Sequence, residues 1–93
     1  MALIKSVKGN RPIFGVNIYL AENATVVGDV EMGNDCSVWF SAVIRGDVNS
    51  IRIGNKVNIQ DGAIIHCTYQ KAAAIIGNNV SVGHNALVHG CTI

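Results

Sequence analysis

A large apolar residue recurs at every sixth position through most of the chain: Phe14, Leu20, Val26, Met32, Val38 and Ile44, then Ile53, Ile59 and Ile65, then Ile76, Val82 and Val88. Four places after each comes a mostly small or β-branched residue, in order Ile18, Ala24, Val30, Cys36, Ala42, Val48, Val57, Ala63, Tyr69, Val80, Ala86 and Thr92. Every hexad thus offers two inward candidates. A period of six is neither the 3.6 of an amphipathic helix nor the alternation of a long strand, and it marks a solenoid. Each hexad supplies a short strand and a corner, three hexads close one triangular coil, and coils stack about 4.8 Å apart through parallel ladders. The register slips by three residues between Ile44 and Ile53 and by five between Ile65 and Ile76, as loops inserted between repeats would require. Twelve hexads make about four coils of an all-β parallel β-helix. The expected layout is a single domain, with residues 1–12 as a lead-in and 13–93 as the repeats.

The register also sorts the three histidines. His66 and His84 are 18 residues apart, which would stack them in an uninterrupted coil, but the five-residue slip lies between them. His66 follows Ile65 by one place and His89 follows Val88 by one place, and both belong to the third hexad of their coils. The pair His66 and His89 is therefore expected to stack, side chains outward, with Arg45 directly beneath His66. His84 falls in the second hexad of the fourth coil, near a different corner, one rung above Gln60 and Asp61. Two imidazoles one rung apart can share a metal ion with ligand distances of about 2.0–2.1 Å for zinc. A third ligand on another corner reaches that ion only from a second copy, and threefold symmetry would repeat the site three times.

Composition narrows the field. With 93 residues, five of them aromatic, and nearly half the chain hydrophobic, the interior is filled by Ile, Val, Leu and Ala in thin layers. Ten Gly and ten Asn supply tight corners, because both tolerate the left-handed backbone. A formal charge of +1 without a basic run argues against nucleic acid. No apolar stretch reaches the roughly 18 residues of a membrane span, and the first ten residues hold too short an apolar core for a secretory signal. Three irregularly spaced cysteines argue against a disulfide framework and suit a cytoplasmic protein. Cys36 occupies an inward position, whereas Cys67 and Cys91 lie near the histidines at offsets that differ from each other and from the histidine column. The chain stops at Ile93 without a polar cap, which leads us to expect a truncated piece of a longer solenoid or an edge covered by a partner.

The runs Val43-Ile44-Arg45-Gly46-Asp47, Asn58-Ile59-Gln60-Asp61-Gly62, Ile65-His66 and Val82-Gly83-His84-Asn85-Ala86-Leu87-Val88-His89-Gly90 together resemble γ-class carbonic anhydrases, along essentially the stretch from Ile13 to Ile93. The resemblance implies a left-handed winding and a homotrimer binding zinc between subunits through His66, His84 and His89. It implies an interface salt bridge for Arg45 and Asp47, a place for Gln60 beside the metal-bound water and one for Asp61 as the adjacent acid. The implied reaction is hydration of carbon dioxide to bicarbonate by a zinc-bound hydroxide. Imidazole ligands suit Fe²⁺ as well as Zn²⁺. The chain departs from the active members of the family where they carry proton-exporting acids: it has Val48 after Asp47, and no carboxylate in the loop Cys67-Thr68-Tyr69-Gln70-Lys71-Ala72-Ala73-Ala74. Two other readings stay open, a hexapeptide-repeat acyltransferase with a histidine base and no metal, and a non-catalytic trimeric module whose histidines hold a structural metal. Taken singly, the histidines, Arg45 with Asp47, and Gln60 with Asp61 also fit ordinary surface roles.

Overall fold

Short parallel strands and sharp corners account for the whole of the computed structural model, which describes residues 2–93. The strands are β1 (Leu3–Lys5), β2 (Ile13–Phe14), β3 (Tyr19–Leu20), β4 (Thr25–Met32), β5 (Ser37–Val38), β6 (Val43–Ile53), β7 (Asn58–Ile59), β8 (Ile64–His66), β9 (Ala74–Ile76), β10 (Ser81–Val82) and β11 (Leu87–His89). Every strand pairing is parallel, and each joins a coil to the coil above it. The result is a β-solenoid of about four turns. Among the described residues, no helix is long and apolar enough to cross a membrane.

The hexad register is the register of the structure. Leu20, Val38, Ile59 and Val82 align in one inward column through β3, β5, β7 and β10. Val26, Ile44, Ile65 and Val88 form a second, and Phe14, Met32, Ile53 and Ile76 a third. Ile65 sits under Val88, not Val82, so the five-residue slip is a true frame shift. Stacking starts before residue 13: Ile4 lies beneath Val26, which places part of the lead-in on the same column.

Two inward expectations fail, Tyr69 at the second slip and Thr92 in the last hexad, and a third, Val48 at the first slip, is met only in part. Tyr69 is 57% exposed, because the second insertion leaves the coil as a small hairpin closed by an antiparallel Thr68–Ala72 bridge. Thr92 pairs with outward Ile75 and is exposed. Val48 is only half-buried, since the three-residue insertion brings Ile51 instead of Val48 over Val30. Ile51 and Ala74 continue that column, both fully buried. Buried Cys67 follows His66 just before the hairpin turns out.

One corner is built identically in four coils. Asn17, Asp35, Lys56 and Asn79 all take the left-handed conformation, with φ between 56° and 59°. Beside them, Gly15, Gly33 and Gly54 each face the side chain of an asparagine in the coil above. The Val16 N–H donates to Asn34 Oδ1 (2.9 Å), Asn34 N–H to Asn55 Oδ1 (2.7 Å) and Asn55 N–H to Asn78 Oδ1 (2.7 Å). A Cβ on Gly33 would stand 2.2 Å from Asn55 Oδ1 and 2.8 Å from the Gly54 carbonyl oxygen, so the glycine is a socket for the amide above it. Gly33→Ala is accordingly expected to cost about 2–3 kcal/mol of stability, and Gly83→Ala, where nothing lies within 4 Å of an added Cβ, less than about 0.5 kcal/mol. Denaturant unfolding of the two variants checks this. Equal losses would refute the socket.

Candidate metal centre

Strands β6, β8 and β11 carry the first half of the site. A parallel ladder repeats side-chain direction from rung to rung, so Arg45, His66 and His89, each one place after an inward aliphatic, point outward in one line. The His66 and His89 rings stack with centroids 5.3 Å apart and an interplanar angle of 6°. Beneath them β6 bends at the start of its insertion. Gly28 and Gly46 pair there so closely that a Cβ on Gly28 would lie 2.2 Å from the Gly46 carbonyl oxygen, which lets the strand turn between Arg45 and Asp47. Those two side chains, alternate residues on one side of the strand, form an ion pair with Arg45 Nε 3.4 Å from Asp47 Oδ2.

This pair holds His66. Its Nε2 lies 3.0 Å from Asp47 Oδ1 and 3.1 Å from Arg45 Nη2. Carboxylates only accept and guanidinium only donates, so Nε2 serves Asp47 when it carries a proton and Arg45 when it does not. His89 is held differently, its Nε2–H donating to the Cys67 carbonyl oxygen at 3.1 Å. In the neutral ring this leaves the lone pair on Nδ1.

His84 belongs to another part of the solenoid. It follows β10, one rung above Asp61, with His84 Nδ1 3.7 Å from Asp61 Oδ1. Together with Gln60, Asn58 and Trp39 these residues line an open cleft of about 350 Å³. The Gln60 Nε2–H donates to Asn58 Oδ1 at 3.2 Å, which sets the amide so that Oε1 is left to accept. Trp39 is fixed beneath Gln60 by its indole N–H, which donates to Ser37 Oγ at 3.0 Å, and by packing on Tyr19 with ring centroids 4.8 Å apart. Asn58 and Trp39 escape the motif-based reading, yet the hexad frame does mark them, at the places just before Ile59 and just after Val38.

Among the described residues of one chain, no three His, Cys, Asp or Glu side chains come together as a metal site. The stacked pair and the single histidine therefore make a three-imidazole set only when two copies meet. Cysteine does not complete it. The Cys67 thiol points into the core, donates to the Ser50 carbonyl oxygen at 3.2 Å and is raised above its ordinary pKa mainly by burial, against a backbone hydrogen bond with Ala74 that lowers it.

The sequence is 52% identical over 77 residues to a probable carbonic anhydrase of Methanocaldococcus jannaschii, and 40% identical over 87 residues to the mitochondrial γ carbonic anhydrase 2 of Arabidopsis thaliana. These alignments cover 83% and 88% of the chain. The chain belongs to the γ-class carbonic anhydrase family. It spans 48% of the archaeal relative and 31% of the plant one. No protein-family model matches. Among solved structures, a hexapeptide transferase family protein of Anaplasma phagocytophilum superposes with a TM-score of 0.90 at 34% identity, over 97% of this chain and 52% of that one. A putative acetyltransferase of Bacillus cereus, 24% identical with a TM-score of 0.72 over 95% of this chain and 74% of that one, shares the fold. The fold is thus the left-handed parallel β-helix of hexapeptide-repeat proteins.

The buried Cys67 thiol and the exposed Cys91 should differ sharply toward alkylating agents. In the folded protein at neutral pH, iodoacetamide is expected to modify Cys67 at least about tenfold more slowly than Cys91, because only the thiolate reacts and burial disfavours it. Mass spectrometry of a labelling time course measures the ratio. Comparable rates would show that the hairpin after His66 opens readily.

Proposed function

We propose that copies of this chain assemble as a homotrimer and hold a divalent metal, Zn²⁺ or in its place Fe²⁺, between His66 and His89 of one copy and His84 of the next, for reversible hydration of carbon dioxide to bicarbonate. One observation carries the proposal: the histidines are divided into a stacked pair and a separate single, inside a family whose relatives include a γ carbonic anhydrase. Three imidazoles with one open position are the ligand set of catalytic zinc, and imidazole suits Fe²⁺ equally. When bound, such a metal supplies Lewis acidity that makes water a nucleophile near neutral pH.

The chain's own residues do the remaining work. Arg45 and Asp47 hold the His66 ring in place, and the Asp61 carboxylate lies 3.7 Å from His84 Nδ1, beyond hydrogen-bond reach. Gln60, its amide fixed by Asn58, presents Oε1 to accept a hydrogen bond from the attacking water, with Trp39 as an apolar wall for carbon dioxide. Proton export is the weak step. Val48 is apolar and the hairpin after His66 has no carboxylate, which leaves Asp61, half-exposed beside His84, as the acid nearest that histidine. The likeness to a hexapeptide transferase family protein supports a second reading, acyl transfer, which requires acyl-thioester binding without metal.

Two measurements test the proposal. Chains carrying His84→Ala mixed with chains carrying both His66→Ala and His89→Ala are expected to regain part of the zinc that each population lacks, read by elemental analysis after gel filtration. A monomer that binds zinc as tightly as a trimer would refute sharing. In stopped-flow hydration assays on metal-loaded protein, concentrated imidazole buffer should raise the rate, Val48→Glu should raise it at low buffer, and His66→Ala should abolish both metal and activity. A fast, buffer-independent rate would contradict the account of proton export. Zinc without hydration in any buffer would leave a structural metalloprotein, and acyl-CoA binding without metal a transferase.

A further inference from the structure

We propose that the two outward columns that carry the histidines are complementary along their whole height, forming a seam between copies that is closed at its lower end by a Lys5–Glu22 ion pair and a Phe40–Val27 contact. The inference rests on the shared-site reading above and extends it to residues far from the metal.

The columns follow from the ladder registers. One runs upward as Lys5, Val27, Arg45, His66 and His89, from β1 through β4, β6 and β8 to β11. The other, at the corner after the second strand of each coil, runs Glu22, Phe40, Asp61 and His84. All of these side chains are exposed except Val27 and His66, which are half-buried. Phe40 keeps 46% of its surface in water although it packs edge-on against Trp39. Among the described residues, none covers it further.

The shared-site reading sets the level of the neighbour. For His84 of a second copy to join both His66 and His89 it would have to lie between their two rungs, which are about 4.8 Å apart. Each lower residue of the corner column then faces a pair of rungs. Asp61 comes between Arg45 and His66, Phe40 between Val27 and Arg45, and Glu22 between Lys5 and Val27. Acid meets base and ring meets aliphatic at every level. With His84 level with His66 the same partners meet, Asp61 on Arg45, Phe40 on Val27 and Glu22 on Lys5, whereas with His84 level with His89 Phe40 would face Arg45 and Glu22 would face Val27, leaving Lys5 unmatched. The charge order of the two columns therefore disfavours a neighbour raised until His84 is level with His89 and is compatible with the lower position that the three histidines require, in residues that take no part in binding the ion. Glu22 and Lys5 belong to the lowest coils, so this contact fixes the angle between copies at the end opposite the metal.

The test is charge reversal of the exposed pair, read as assembly by sedimentation velocity and as zinc content by elemental analysis, on the full chain loaded with zinc. Lys5→Glu and Glu22→Lys are each expected to raise the concentration at which trimers fall apart by about tenfold at low salt, three pairs being lost per trimer. The doubly reversed chain should recover to within about threefold of the unmodified protein. At 1 M salt, where the screening length is about 3 Å, the differences should nearly vanish, whereas Phe40→Ala should weaken assembly at either salt. A trimeric, zinc-bearing chain indifferent to the single reversals, or a double reversal no better than the worse single one, overturns the seam alone. An unmodified chain that stays monomeric with zinc overturns the shared-site reading and the seam together.

Discussion

Each coil of this protein has to lie on the one beneath it with its aliphatic columns in line. A coil is one strand thick on each side and encloses a single layer of side chains, so Ile44 can be dry only if Val26 lies below and Ile65 above. Burial of an isoleucine or valine contributes about 1.5–3 kcal/mol. A coil rotated by one residue would turn its whole inward set outward. The ladder hydrogen bonds add no choice of register by themselves, because every backbone rung is alike. The choice comes from the columns, and from the corner where glycine sockets receive asparagine amides and where an offset stack would drive the amide into backbone.

Placement of the polar residues is a by-product of that stacking. Arg45, His66 and His89 are aligned because the residues before them are aligned inside. The same holds for Gln60 and Gly83, and for Asp61 and His84. The outer surface needs only one histidine per coil at the right offset for two rings to stack, which is why a chain with three histidines can present a stacked pair on one face and a single ring on another.

The hexad period made the inward columns, the frame shift between His66 and His84 and the stacking of His66 on His89 legible in the sequence. Those features depend on nearest-neighbour stacking, which repeats. What escaped it was local. Tyr69, Val48 and Thr92 were expected inside by counting forward from an aliphatic residue, and each lies at or beyond a place where the count breaks. Within an insertion, turn geometry decides which side chain returns to the core, and Ile51 and Ala74 carry no mark that separates them from their neighbours. Burial of Cys67 was missed for the same reason. Asn58 stood at the head of the run ending in Gly62 but with no role assigned to it, and Trp39, one rung below Gln60, lay outside every run.

Both insertions fall where one coil passes into the next, the first inside β6 beside Asp47 and the second between β8 and β9 directly after His66. The core columns above and below them stay continuous, Ile53 on Met32 and Ile76 on Ile53. This edge of the solenoid is therefore a place where chain length is free, and it borders the catalytic candidates. Lineages of such a protein can lengthen, shorten or recharge these segments without moving a ligand. The outer segments can then diverge while the architecture of the columns is inherited intact.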